Sequence, residues 1–295
     1  MINEYLQMML PPKRNGNVFV NDPTECSQLL NSLKDEAHVY FAFSNKHSDP
    51  KLLALYTDLL SEEEIEKHKS FQFGRDRDLY LMTHGLVRAA LSRYSMVSPE
   101  KWVFQCNSYG RPEIAQSNGN PQLRFSVSRA RGLVACLIVL SIDAGIDVEE
   151  IRELDNLIAL SENIFTSLEL SNMRKPPEND RVEEFFTLWT LKEAYIKAKG
   201  MGLSLPLNQF AFYFDAKGST RLWVDPRLHD ISSDWQSATF RSAPSHAMAV
   251  ALHRRNRADL RIRFFEAIPE FNDLSSLNTI EYPLRNLNSF TTINS

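Results

Sequence analysis

The chain is poor in cysteine. It has three in 295 residues, Cys26, Cys106 and Cys136, widely spaced and odd in number. No C-x-x-C pair or Cys/His cluster accompanies them, so neither a disulfide framework nor a zinc site is implied. Cys136 sits in an apolar run and reads as a buried thiol, so a reducing cytosol is the simplest location. Basic charge is not in excess either. The formal net charge is -4, whereas a nucleic-acid-binding domain is ordinarily basic, and that class of partner is set aside. No apolar run approaches the length of a membrane span. The N-terminus, Met1-Ile2-Asn3-Glu4, lacks a basic segment. The apolar piece Tyr5 to Leu10 is broken by Gln7 and stopped by Pro11-Pro12, too short for a signal-peptide core. The remaining composition, 43% hydrophobic and 24% charged, is that of an ordinary globular chain. Its length suits one large domain or two smaller ones, each with a core.

The most informative stretch runs from Trp189 to Gly200, WTLKEAYIKAKG. It reads as the second half of a helix. Phe185, Phe186, Trp189 and Ile196 recur at helical spacing as an apolar stripe. Gly200 and Gly202 follow where a left-handed cap is expected, and Lys197 and Lys199 suit the last turn of a helix dipole. Glu193 lies four residues after Trp189 and four before Lys197, so the three share a face. Lys192 sits one step round, beside the apolar stripe. Alone, Glu193 and Lys197 would be an exposed pair worth a few tenths of a kcal/mol.

A second stretch, Ala144-Gly145-Ile146-Asp147-Val148-Glu149, changes that reading. It looks like a short strand after a turn. Alternation puts Asp147 and Glu149 on one face and Ile146 and Val148 on the other. Two carboxylates so placed suit Mg²⁺, which takes one or two carboxylates together with phosphates and waters. A third carboxylate on a helix, followed by lysines, would complete a site for a phosphate ester. Without such a partner the strand pair is simply a solvated face.

Together the two stretches resemble the Sfp-type 4′-phosphopantetheinyl transferases. That family's paired signature is G-[IV]-D-[IVL]-E, then W-x-x-K-E-[AS]-x-x-K-x-x-G, and every fixed position is present here. Phe71 to Arg77, Tyr109-Gly110-Arg111-Pro112 and Phe125-Ser126-Val127-Ser128 agree in order upstream. The resemblance runs from about Ser61 to about Phe212. It implies an α+β fold of two similar α/β subdomains related by a pseudo-twofold axis, with cofactor held between them. It also implies transfer of 4′-phosphopantetheine from coenzyme A to a serine of an acyl or peptidyl carrier protein, releasing 3′,5′-ADP. Such an enzyme would activate peptide, polyketide or fatty-acid-like synthases.

Carried over residue by residue, Asp147, Glu149 and Glu193 would hold Mg²⁺ or Mn²⁺. Glu193 would also assist deprotonation of the incoming serine, directly or through water. Lys197 and Lys192 would reach the pyrophosphate. Arg75 would reach a phosphate from the start of its helix. Ser128 and Arg129 fall where the family reads Ser-His, a segment that contacts the 3′-phosphate of coenzyme A. Arg129 is thus a departure, although a guanidinium binds phosphate bidentately and stays charged at any working pH. Arg111 and Pro112 match a turn near the adenine, with Arg111 a second 3′-phosphate contact. Arg131 is a nearby alternative to Arg129, and exposed arginines are the plain alternative for both. A carrier protein is typically an acidic helical domain. Because this chain is itself net negative, a local basic or apolar patch must supply the attraction.

Along the chain, Val18 to Val20, His38 to Phe43, Trp102 to Phe104 and Phe125 to Ser128 read as strands. Leu133 to Leu140 reads as a strand buried on both faces. Ser61 and Glu64 form a capping-box pattern for a helix to about Ser70, and a longer helix is expected from Arg75 to Tyr94. Gln116 to Pro121 is a polar loop. Helix, strand and strands recur after Ser141–Gly145 as Arg181 to Lys199, Phe210 to Phe214 and Thr239 to His253. The expected organisation is an N-terminal subdomain, residues 1–143, a C-terminal subdomain carrying the metal site, 144–267, and a polar tail, 268–295. A monomer is expected. The competing readings are a non-catalytic coenzyme A-binding protein of the same fold and an unrelated Mg²⁺-dependent phosphohydrolase. Intact Asp147, Glu149, Glu193 and Lys197 weigh against the first.

Overall fold

The structure, a computed structural model, describes residues 22–115, 122–243, 245–268 and 278–282. The expected strand at Val18 to Val20 and the loop Gln116 to Pro121 lie outside the described residues. Asp22 caps helix α1 (Pro23–Ser32), accepting from the Thr24 N–H, and strand β1 (Glu36–Phe43) follows. Asp49 caps α2 (Pro50–Thr57) in the same way, with proline at its first position. Ser61 and Glu64 make the expected capping box on α3 (Glu62–Ser70). Helix α4 (Gly74–Ser92) comes next.

Strands β2 (Phe104–Cys106) and β3 (Pro112–Ile114) form a small hairpin. This corrects the expected strand at Trp102 to Phe104. Trp102 closes the short 3₁₀ turn Pro99–Lys101, and its buried indole N–H donates to Ser92 Oγ at 2.8 Å, anchoring the end of α4. Then come β4 (Leu123–Ala130), β5 (Leu133–Leu140) and β6 (Ala144–Glu150). Helices α5 (Leu157–Ile164), α6 (Ser167–Met173) and α7 (Arg181–Lys199) follow. The last strands are β7 (Phe210–Phe214), β8 (Thr220–Val224), β9 (Trp235–Ala243), β10 (His246–His253), β11 (Arg261–Ile268) and β12 (Asn278–Tyr282).

The mixture of helices and sheets is the expected α+β class. One sheet has the order β12-β11-β1-β5-β4 and another the order β6-β10-β9. Alternation along each central strand shows how they stack. On β5, Val134, Cys136 and Ile138 join the core beneath α4, while Leu133, Ala135, Leu137 and Val139 join a core shared with Ile146, Val148, Met248 and Val250 of the second sheet. On β10, Ala247, Ala249 and Ala251 face α7. The layers therefore run α4, first sheet, second sheet, α7. Each buried Leu, Ile or Val in the shared layer contributes roughly 1.5–3 kcal/mol.

Strand β11 pairs parallel with β1, so the first sheet takes a strand from late in the chain. Asn278–Tyr282 of the polar tail adds an edge strand beside β11. Cys26 and Cys136 are buried and Cys106 is exposed, and all three are free. No helix among the described residues is long and apolar enough to cross a membrane.

Candidate active site

The site forms where β6 meets α7. β6 is an edge strand of the second sheet, and its open side faces β4 of the first. Two β4 serines fill that seam. Ser126 Oγ accepts the Ile146 N–H at 3.1 Å, and Ser128 Oγ donates to Asp147 Oδ1 at 2.8 Å. They supply what a neighbouring strand would otherwise give. On its other side β6 lies directly under α7. A Cβ on Gly145 would stand 2.0 Å from the Ala194 carbonyl oxygen and 2.6 Å from the Ala198 nitrogen, so only glycine permits this approach.

Close packing brings the alternating face of β6 against the Trp189–Glu193–Lys197 face of α7. The Lys197 ammonium donates to Asp147 Oδ1 at 2.7 Å and to Ser128 Oγ at 2.8 Å. The Trp189 indole donates to Glu149 Oε1 at 3.2 Å. Asp147 is 3% exposed, and its second oxygen, Oδ2, is buried with no hydrogen-bond partner. Burial, and then the charge of Asp147, raise the Glu149 carboxyl above its ordinary value. Burial and then Asp147 also raise Glu193, with Glu149 adding and Lys197 opposing. The three carboxylates thus sense one another's charge.

Glu193, Ile196 and Lys197 wall a cleft of about 240 Å³ together with Tyr109–Pro112 and Phe125–Val127. Helix α7 ends as expected, with Gly200 at φ +66° and its N–H bonded to Ile196 and Lys197 carbonyls. Among the described residues no group of three or more His, Cys, Asp or Glu side chains is gathered as a ready metal-binding cluster. The donors present still fit a hard divalent cation, because a buried carboxylate oxygen without a partner lies amid crowded carboxylates.

A profile of the 4′-phosphopantetheinyl transferase superfamily matches residues 143–251, which include both β6 and α7. The 4′-phosphopantetheinyl transferase HetI of Nostoc sp. is 30% identical over 176 residues, covering 59% of this chain and 73% of that protein. The chain belongs to this family. The transferase Sfp of Bacillus subtilis is 28% identical over 214 residues, covering 72% of this chain and 91% of its own. A holo-(acyl-carrier-protein) synthase from Bacillus anthracis, solved in complex with CoA (3′,5′-ADP), aligns with 38% of this chain and 95% of its own length, at 21% identity and a TM-score of 0.32. The matched span contains both GIDVE and WTLKEAYIKAKG, and the expected family resemblance is borne out.

The structure gathers Asp147, Glu149, Glu193, Lys197 and Ser128 around one seam, with Arg111 and Pro112 on the cleft wall. Lys192 is a correction. Its side chain is wholly buried, donating at 3.0 Å to both oxygens of the equally buried Glu169 and at 2.8 Å to the Phe210 carbonyl. It ties α6, α7 and β7 together and does not face the cleft. Arg111 also departs from a free phosphate contact. Its guanidinium donates to the Ala198 carbonyl at 2.9 Å and lies 3.4 Å from that of Ala144, capping α7. Arg75 is exposed at the start of α4, 5.5 Å over the Phe73 ring and 3.7 Å from Asp76. Arg129 is exposed at the end of β4, over Tyr80.

Sequence reasoning missed what four residues do. Gly145 is a fixed position of the signature and Ser126 lies in the matched Phe125–Ser128 stretch, but their contacts with α7 and β6, and that of Tyr80 with Arg129, join distant segments and leave no local signal. Asn107 does leave one, as a turn former. Its side-chain oxygen accepts from the Tyr109 and Arg111 N–H groups, and its amide donates to the Gly200 carbonyl at 3.0 Å.

Proposed function

We propose that this chain transfers the 4′-phosphopantetheine group of coenzyme A to a serine hydroxyl of an acyl or peptidyl carrier protein. The serine oxygen forms a bond to the phosphorus that bears the pantetheine arm. The bond from that phosphorus to the bridging oxygen breaks, and 3′,5′-ADP leaves. The proton of the serine passes to a base. The observation that carries this reading is the seam itself: Asp147 and Glu149 from β6 and Glu193 and Lys197 from α7 converge beside a cleft, with Asp147 Oδ2 unpartnered.

Glu193 borders the cleft and would take the serine proton, directly or through a water, a role its place on the cleft wall supports. Lys197 uses two of its three N–H donors on Asp147 and Ser128, leaving one for a phosphate oxygen. Asp147, Glu149 and Glu193 are the residues that would hold Mg²⁺. When bound, the cation neutralises charge on the pyrophosphate and the leaving group. Arg129 supplies guanidinium charge for the 3′-phosphate of coenzyme A, and Arg75, exposed at the start of α4, is a further guanidinium for a phosphate. The cleft draws residues 109–112 and 125–127 from the first half of the chain and 193–202 from the second, which supports a cofactor held between subdomains 1–143 and 144–267. A monomeric cytosolic enzyme serving peptide, polyketide or fatty-acid-like synthases completes the reading.

The test is the intact mass of an apo carrier protein incubated with this chain, coenzyme A and Mg²⁺, beside a sample containing EDTA. The expected result is a gain of one phosphopantetheine with Mg²⁺ and none with EDTA. No gain across several unrelated carrier proteins, from protein shown to bind coenzyme A, would overturn it.

A further inference from the structure

Arg129 is long and flexible, and it stands where the resembled family has a short histidine. Among the described residues no carboxylate lies within ion-pair distance of it. Its guanidinium instead sits 5.9 Å from the centre of the Tyr80 ring. Tyr80, on α4, is 7% exposed and packed on its other sides. Its ring lies 4.2 Å from that of His84, 5.2 Å from Phe71 and 6.3 Å from His68.

His84 is itself fixed. Its Nδ1 lies 3.0 Å from Glu64 Oε1 and 3.1 Å from Arg88 Nη1, and Arg88 Nη2 donates to Glu64 Oε2 at 2.7 Å. Glu64 is the capping-box residue of α3, so the Tyr80 ring is the face of a braced wall built by α3 and α4. The backbone that carries Arg129 is braced as well. His246 Nε2 bonds the Arg131 carbonyl at 2.8 Å, and the Ser44 N–H donates to the Gly132 carbonyl at 2.9 Å. Side-chain rotation is therefore the main freedom left to Arg129.

We propose that Tyr80 is a positioning residue for Arg129. The ring attracts the guanidinium through its negative face and leaves the N–H edges free to donate, so the group is pre-set for a phosphate monoester. An arginine needs this shelf because it must immobilise more rotatable bonds than a histidine when the phosphate arrives. The inference rests on the reading of Arg129 as a 3′-phosphate ligand of coenzyme A.

The experiment measures KM and kcat with coenzyme A and with 3′-dephospho-coenzyme A. It compares the parent with Arg129→Ala, Tyr80→Leu, Tyr80→Phe and the Arg129→Ala/Tyr80→Leu double variant. Tyr80→Leu is expected to raise KM for coenzyme A by about 2- to 5-fold, the usual size of an exposed cation–π contact, with the loss in KM rather than kcat. KM for 3′-dephospho-coenzyme A should not follow, Tyr80→Phe should restore the parent value, and the double variant should match Arg129→Ala alone. Should Tyr80→Leu not fold, Tyr80→Met supplies the same volume without a ring face. If Tyr80→Leu raised KM equally for both substrates, or still weakened the Arg129→Ala background, Tyr80 would be an ordinary core residue and the inference would fall. If Arg129→Ala left the ratio of the two KM values unchanged, the assignment of Arg129 would fail first.

Discussion

Gly145→Ala is the sharpest test of how the site is built. The added methyl would stand 2.0 Å from the Ala194 oxygen, 2.6 Å from the Ala198 nitrogen and 3.0 Å from the Ala194 carbonyl carbon. Non-bonded heavy atoms prefer about 3.5–4.0 Å, so β6 and α7 must separate by more than about 1 Å. All three obstructing atoms are backbone, so no side chain can rotate away. Separation would stretch the Lys197–Asp147 contact of 2.7 Å and the Trp189–Glu149 contact of 3.2 Å, which hold the two elements in register. Overpacking of this kind costs about 1–3 kcal/mol, or several degrees in Tm for a chain of this size. Urea unfolding followed by tryptophan fluorescence gives the stability, and the carrier-protein mass assay gives the activity. The matched control is Gly74→Ala at the first turn of α4, where the new methyl meets nothing closer than Arg77 at 3.8 Å, with an expected change within about 0.5 kcal/mol. A Gly145→Ala protein as stable and as active as its parent would refute the close seat of α7 on β6.

Lys192→Met should cost about 3–5 kcal/mol in urea unfolding, because it leaves Glu169 buried without its cation. A rise in KM for coenzyme A with no loss of stability would instead return Lys192 to the binding site. Asp147→Ala should abolish transfer, by about 100-fold or more in the mass assay, while circular dichroism shows the fold retained, and substantial remaining activity would remove Asp147 from the site. Burial holds the His38 imidazole down at about 4, against an ordinary 6.5, even though Glu36 pulls the other way. The unfolded chain therefore takes up the proton first as pH falls, and stability present at pH 7 should be lost between pH 6.5 and about 4, by about 3 kcal/mol. His38→Gln should flatten that slope, whatever it does to the level, in unfolding curves at pH 7 and pH 5. Glu193→Gln should relieve crowding with Asp147 and Glu149 and be at least as stable as the parent without metal; Mg²⁺ should raise the Tm of the parent and leave that of the variant unmoved. An unchanged Mg²⁺ shift would place the cation elsewhere.

The helix bearing Glu193 was legible because each local signal agreed. Its apolar stripe, lysine-rich last turn and terminal Gly200 all specify one helix and one end. The alternation of β6 was legible for the same reason, and it placed Asp147 and Glu149 on one side correctly. Lys192 was not legible, because a lysine is buried only when a partner waits for it. That partner, Glu169, lies 23 residues upstream. Its position could have been found, since Thr166 and Glu169 repeat the capping-box pattern of Ser61 and Glu64. Its second role, as the buried anion under α7, could not. Arg111 shows the same limit in reverse, since its exposed turn predicts a free guanidinium while two backbone carbonyls take it up. The pairing of β11 with β1 joins residues more than two hundred apart, and no periodicity reports such a contact.

What unites the hidden features is the seam between the sheets. A packed core would close that gap with apolar side chains, yet β4 presents Ser126 and Ser128 there, and β6 presents a buried aspartate with an oxygen left over. Gly145 weakens the strand, and the three neighbouring carboxylates repel one another, so the arrangement costs stability in the absence of a cation. Residues that break local rules together, at one place, with complementary charge beside them, have a common cause in what the site must hold. The two outer helices make this tolerable. α4 and α7 each seal a largely apolar layer, and α7 carries Glu193 and Lys197 on the same rigid rod that completes its own core. The site can therefore keep unsatisfied groups in fixed positions, because the elements that hold them are secured by burial elsewhere.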